Sequence, residues 1–173
     1  MDRRKFMAVA LATLTAATLK AETSPKKYQA LHAFFACPLA LSPPAKLGLD
    51  AVSLTFPKGS KRPEFEVVVC EFDQEAFSAM QQAGQNPLDY ARSTYLGQSG
   101  PLKQKGSRTF AKGPKSTEVD PQSFPNKDYL EICWLERKQG PGLMLAFRVA
   151  PSFDKARAKQ AIDAICASLE WKL

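Results

Sequence analysis

The stretch EFEVVVCEF, residues 64–72, is the most strongly β-forming segment of the chain. Side chains alternate between the two faces of a strand. Those of Phe65, Val67 and Val69 would therefore face one side of a sheet, and those of Val68, Cys70 and Phe72 would face the other. Both faces are apolar in the middle of the segment, a pattern typical of a strand that is covered on both sides. The sequence therefore predicts a central strand of a sheet here.

Five other segments have the β-rich or alternating pattern of strands. They are residues 28–37, 51–56, 103–110, 129–137 and 143–149. The segment 103–110 is rich in charge, which suits a sheet edge that must not pair with another chain. The turn sequence QGPG at 139–142 predicts a hairpin between the last two strands.

Helical patterns follow the central strand and close the chain. Asp73 can cap a helix that ends at Gly84, and a second helix is predicted over residues 86–97. A third is predicted over residues 153–169, where apolar side chains recur at helical spacing. The members of that stripe are Ala158, Ala161, Ile162, Ile165, Cys166 and Leu169.

The order of these elements predicts an α+β fold, a mainly antiparallel sheet with helices packed on it. The chain has 173 residues, and its 45% hydrophobic and 24% charged content is ordinary for a globular protein. We expect one domain over residues 22–173. A net charge of +7 is compatible with anionic partners, but no nucleic-acid role is expected from it.

The N-terminus has the layout of a signal peptide over residues 1–21. A charged start is followed by an uncharged Ala- and Leu-rich run that is too short to span a membrane, and Ala21 precedes the expected cut. The sequence RRKFM at 3–7 resembles a twin-arginine signal, and both this route and the general secretory route remain open. We expect a periplasmic or secreted protein with no transmembrane segment after signal removal.

Four cysteines lie in the expected mature chain: Cys37, Cys70, Cys133 and Cys166. An even number in an exported protein predicts disulfides, and three connectivities are possible. The strand positions of two of them favour Cys70–Cys133, which leaves Cys37–Cys166. No CxxC or metal-ligand spacing is present, so we expect no metal and no cofactor.

A run of basic residues is the clearest candidate for binding. Its members are Lys103, Lys105, Arg108, Lys112 and Lys115, with no acidic residue among them. Such a loop could hold an anionic ligand or an acidic partner. No nucleophile-and-base arrangement is evident, and the single histidine, His32, lies in an apolar run where packing is the expected role. We therefore predict no catalytic residues and no enzyme activity.

Three segments resemble the PsbP-like α/β/α sandwich family. They are VSLTFPKG at 52–59, LMLAFRVAPSFD at 143–154 and ASLEW at 167–171. The tryptophan usual after the Pro-x-Gly turn of that family is absent, because Ser60 and Lys61 stand there. The resemblance implies the sandwich fold and a non-enzymatic binding or assembly role, and it implies no functional residue.

The sequence thus predicts an exported, non-enzymatic binding or accessory protein of the bacterial cell envelope, with another envelope protein or an anionic ligand as its partner. Two alternatives stay open. One is a protein that binds a small ligand or a lipid headgroup. The other is a small hydrolase with a carboxylate-based site, for which Glu64, Glu66 and Glu71 lie along one predicted strand.

Overall fold

A seven-stranded sheet forms the centre of the molecule in the computed structural model, which describes residues 24–84, 104–110, 114–119, 129–136 and 142–172. In spatial order its strands are β3 (Ala45–Lys46), β4 (Ala51–Phe56), β5 (Phe65–Phe72), β9 (Gly142–Val149), β8 (Tyr129–Glu136), β7 (Lys115–Val119) and β6 (Gln104–Thr109). Every neighbouring pair of these strands is antiparallel. The predicted α+β fold with a mainly antiparallel sheet is confirmed.

Strand β5 has the central position that its sequence predicts, because it pairs with β4 on one side and β9 on the other. Phe65, Val67 and Val69 belong to the larger of two apolar clusters, and Val68 and Cys70 belong to the smaller one. The sheet therefore has two buried faces. Glu71 continues the face of the larger cluster at the end of the strand, which matters for the site described below.

A second, three-stranded sheet covers part of the larger cluster. It contains β1 (Lys26–Ala30), β2 (Ala33–Cys37) and β10 (Glu170–Trp171) in the order β1-β2-β10. The prediction of a single strand over residues 28–37 was wrong, because the chain reverses at Leu31 and His32 and the two halves pair as a hairpin. No Gly, Pro or Asn marks this turn, so the usual sequence signal is missing.

Two helices lie on opposite faces of the seven-stranded sheet. Helix α1 (Gln74–Gln82) contributes Met80 to the smaller cluster, and helix α2 (Lys155–Ser168) contributes its apolar stripe to the larger one. The predicted cap is confirmed, since the Asp73 carboxylate accepts from Ala76 N at 2.7 Å. Gly84 follows α1 with φ 68°, a conformation that favours glycine at a helix end.

Helix α2 is shorter than predicted but buries the predicted stripe. Asp154 caps its first turn by accepting from Arg157 N at 2.7 Å, and the buried side chains are Ala158, Ala161, Ile162, Ile165 and Cys166. At its other end the Ser168 hydroxyl accepts from Ala36 N at 2.8 Å and donates to Ala164 O at 2.6 Å. This hydroxyl joins the helix to strand β2.

Several sequence predictions fall outside the described residues: the signal peptide over 1–21, the second helix over 86–97 and most of the 139–142 turn. The hairpin itself is confirmed, because β8 and β9 pair with Glu136 opposite Gly142. Strand β6 is the edge strand predicted over 103–110, while β7 was not predicted, since KSTEV has little apolar alternation. Neither described helix is long and apolar enough to cross a membrane.

Candidate functional site

The turn between β1 and β2 presents the only histidine of the chain. Leu31 has φ 55°, which is an uncommon conformation for a side chain of this kind. The next residue, His32, has a side chain that is 61% exposed. The imidazole is thus presented to solvent by a turn whose preceding residue has a sparsely populated backbone conformation.

The carboxylate of Glu71 holds the histidine in place. Its Oε2 lies 2.8 Å from His32 Nδ1, and its Oε1 accepts from the His32 backbone N at 2.9 Å. The Trp171 indole Nε1 donates to the same Oε1 at 3.1 Å. The Glu71 side chain is only 13% exposed. One carboxylate thus connects the β1–β2 turn, the end of β5 and strand β10.

These contacts determine which ring nitrogen of His32 is available to bind another group. A carboxylate in its ionised form only accepts hydrogen bonds, so beside that form of Glu71 the His32 Nδ1 is the donor. Nε2 is then an acceptor in the neutral ring and a donor in the charged ring. An imidazole oriented in this way can bind a polar group of a partner, or it can act as a general base.

Two exposed leucines lie at the same end of the molecule. The segment from Leu47 to Asp50 is the tip of the β3–β4 hairpin, closed by a bond from Leu47 N to Ala51 O at 2.9 Å. Leu49 is 95% exposed, and Leu47 is also exposed. The Asp50 carbonyl accepts from Glu71 N at 2.9 Å. We call this region the His32 end, comprising His32, Glu71, Trp171 and residues 47–50.

Sequence reasoning missed this site because it assigned His32 to the middle of a strand. The imidazole is exposed only because the chain turns there. In the sequence, Glu71 is 39 residues away from His32, and Trp171 is 100 residues away from Glu71. Local patterns carry no information about contacts over such separations. The three acidic residues proposed for a hydrolase do not converge either, since Glu66 pairs with Arg148 at 2.7 Å on the opposite face of β5 from Glu71.

The residues of the predicted basic loop do not all lie on one face of the sheet. Lys103 and Lys112 lie outside the described residues. Lys105 is exposed and lies 3.4 Å from Glu118, while Lys115 is exposed one position before the buried Ser116. Because successive side chains of a strand point to opposite faces, Lys115 points away from the face that holds Ser116 and its cross-strand neighbour Arg108.

Arg108 is partly exposed, and its guanidinium is bound by other side chains of the protein. Its guanidinium donates two hydrogen bonds of 2.7 Å to the Glu131 carboxylate and a third to Asp163 of helix α2. Ser116 also donates to Glu131, which is only 1% exposed. The hydrogen bonds to Glu131 and the nearby carboxylate charges raise the pKa of Arg108 above its already high ordinary value. We call these four residues the arginine cluster.

The cysteines do not pair as expected. Cys70 belongs to the smaller cluster and Cys133 to the larger, on opposite faces of the sheet, and β9 separates their strands. The predicted Cys70–Cys133 contact was therefore wrong. Instead Cys133 Sγ lies 3.3 Å from Cys166 Sγ, and all four cysteines are buried thiols.

The surroundings of Cys37, Cys70 and Cys133 make these three thiols weaker acids than an exposed cysteine, because they raise the pKa. Burial raises the pKa of Cys37 to about 11 and, together with the charge of Asp50, the pKa of Cys70 to about 12. The contact with Cys166, followed by burial, raises the pKa of Cys133. Thiols of this kind have little thiolate at neutral pH and do not act as nucleophiles in the folded protein.

No protein-family model matches the sequence, and no curated protein matches it. Over the described ranges, no group of three or more His, Cys, Asp or Glu side chains could hold a metal ion. What the structure defines is a sheet-dominated α+β protein with one oriented imidazole at the His32 end.

We expect Glu71→Ala to lower the free energy of unfolding by about 1–3 kcal/mol, because the His32 backbone N and the Trp171 indole lose a shared acceptor in a partly buried site. The matched variant His32→Ala removes only an exposed partner, so its cost should be about 0–1 kcal/mol. Urea unfolding of both variants measures this difference. Equal losses for the two variants would mean that Glu71 has no organising role.

Proposed function

We propose that this chain is an exported, non-enzymatic accessory protein of the bacterial cell envelope that binds a protein partner through the His32 end. The observation that carries the proposal is the His32 imidazole, exposed to solvent yet held by the partly buried carboxylate of Glu71. A polar group that is already oriented loses little freedom on binding, so it contributes more to affinity than a mobile one.

The neighbouring leucines support a protein partner. Protein–protein interfaces bury apolar side chains at their centre and carry positioned polar groups as well. Leu49 is almost fully exposed at the hairpin tip, and the Asp50–Glu71 backbone bond ties that tip to the strand that holds His32. Exposure of a leucine to this extent has no benefit for the isolated fold, whereas a partner surface would bury it.

The fold and the cellular location are further parts of the proposal. The PsbP-like resemblance is supported by helices on opposite faces of an antiparallel sheet, as in an α/β/α sandwich. Export is supported by the charged and apolar pattern of residues 1–21. Both are consistent with a protein that works by binding in the envelope.

Photo-crosslinking in intact cells tests the proposal directly. A photoreactive amino acid replaces Leu49 in the full chain, and the control replaces Lys61, which is exposed in the loop between β4 and β5 at the other end of these strands. We expect one discrete protein adduct from position 49 in the envelope fraction and none of that mass from position 61. Adding His32→Ala should reduce the adduct at position 49 at least several-fold.

Two results would contradict the proposal. One is the same set of adducts from positions 49 and 61, which would indicate random collision. The other is a protein that keeps its N-terminus and remains in the cytoplasmic fraction, which would remove the envelope from the proposal.

A second candidate function is supported by the same pair of side chains. A histidine whose Nδ1 is held by a carboxylate has the arrangement of a general base that could activate a water molecule. A small hydrolase would then lose its activity in His32→Ala and retain a reduced activity in Glu71→Gln. Ester hydrolysis by the purified chain that is unchanged in His32→Ala would exclude His32 as its base.

A further inference from the structure

Cys133 and Cys166 bring strand β8 and helix α2 into sulfur contact. Their Sγ atoms are 3.3 Å apart, and both side chains are buried in the larger apolar cluster. A disulfide bond has its sulfur atoms about 2.05 Å apart, so a closure of little more than 1 Å would join the two side chains. All four cysteines lie in the described part of the chain, and Cys133 and Cys166 are the two whose sulfur atoms are in contact.

The other two cysteines make other contacts. Cys37 Sγ accepts a hydrogen bond from Leu39 N at 3.4 Å, and Cys70 lies in the smaller cluster across the sheet. Pairing Cys70 with Cys133 would require a bond through the sheet. The geometry therefore selects one pair and leaves two thiols.

We propose that Cys133 and Cys166 form a disulfide bond that fastens helix α2 to the sheet, while Cys37 and Cys70 remain thiols. This inference does not depend on the partner proposed above. It makes the Cys133–Cys166 pair an oxidative modification site whose co-reactant is a disulfide-containing oxidant, either a small molecule such as glutathione disulfide or a protein disulfide.

The reaction balances as two thiol–disulfide exchanges. The thiolate of one cysteine attacks the oxidant RSSR, forms a mixed disulfide and releases one RS⁻. The second cysteine thiolate then attacks the protein sulfur of that mixed disulfide and releases the second RS⁻. The two thiol protons end on the two RSH molecules, the oxidant is reduced by two electrons, and the protein is oxidised by two.

Burial decides when this reaction takes place. In the folded chain the thiols of the pair are enclosed by the sheet and α2, out of reach of an oxidant. The exchange must therefore occur while the chain folds, before α2 packs on the sheet. Once formed, the bond is equally protected from reductants, so it is a structural cross-link.

Peptide mapping of the full chain tests the proposal. The chain is refolded in a glutathione redox buffer, free thiols are alkylated, and the protein is digested and analysed by mass spectrometry without reductant. We expect a peptide that links Cys133 to Cys166, and alkylated Cys37 and Cys70. A sample refolded under reducing conditions should have a thermal unfolding midpoint about 5–15 °C lower, because the bond closes a loop of roughly 30 residues in the unfolded chain.

Single replacements complete the experiment. Cys133→Ser should abolish the linked peptide, while Cys37→Ser, a buried cysteine in the same cluster, should leave it unchanged. A linked peptide with any other pairing, or four alkylated thiols in the refolded wild-type chain, would overturn the proposal. The mapping of the wild-type chain gives this answer even if a variant fails to fold.

Discussion

Replacing Arg108 with methionine is expected to lower the free energy of unfolding by about 3–5 kcal/mol. The guanidinium makes two 2.7 Å hydrogen bonds to Glu131, and that carboxylate is almost completely buried. Methionine keeps much of the apolar length of arginine but leaves Glu131 without its guanidinium. A charge that stays in the interior after it loses its main partner is one of the most costly defects in a folded protein.

The matched control is Lys105→Met, on the same edge strand. Lys105 is exposed and lies 3.4 Å from Glu118, so its loss should cost about 0–1 kcal/mol. Urea unfolding of both variants gives the comparison. The double variant Arg108→Met with Glu131→Leu should recover most of the loss, since it removes both charges of the pair. If Arg108→Met costs no more than Lys105→Met, the arginine cluster does not stabilise the fold.

Replacing Leu54 with alanine is expected to cost about 2–5 kcal/mol, because this side chain is completely buried in the larger cluster and its removal leaves a cavity. Leu49→Ala in the same hairpin should change the free energy of unfolding by less than about 0.5 kcal/mol, since Leu49 is exposed. Thermal or urea unfolding measures both values. Similar losses for the two leucines would mean that the hairpin tip is buried in the folded chain.

The same two variants separate stability from binding. Leu49→Ala should weaken the crosslinked complex of the His32 end by removing an apolar anchor, while the protein remains as stable as the wild type. Leu54→Ala should lower stability, and in the remaining folded protein the complex should be unaffected. Loss of the complex in both variants in proportion to unfolding would argue that the His32 end makes no specific contact.

The local sequence was sufficient to predict most strands and both described helices. In β5 and β9 apolar residues fill both faces, and burial on both faces requires neighbours and covering layers. The cap at Asp73 and the apolar stripe of α2 are short-range signals with a local physical cause. Strand β7 was not predicted, because it is stabilised by pairing with β6 and β8 rather than by a strand-like pattern in its own sequence.

The basic run shows how tertiary contacts change the interpretation of a local pattern. In the sequence, Arg108 is one of five cations without an acidic neighbour. In the fold, β8 brings Glu131 and α2 brings Asp163 to its guanidinium, from 23 and 55 residues away. The charge of Arg108 is then used in contacts with these two carboxylates, and an anionic ligand would have to rely on the exposed Lys105 and Lys115.

The sequence by itself determined the class of fold, because periodicity and capping act over a few residues and need no knowledge of partners. Only the tertiary structure decided where His32 lies, which cysteines meet and what Arg108 binds. Each of these depends on a chain reversal or a strand order that joins residues far apart in sequence. The physical reason is that a side chain's chemistry is set by its neighbours in space, and here those neighbours come from other strands and from helix α2.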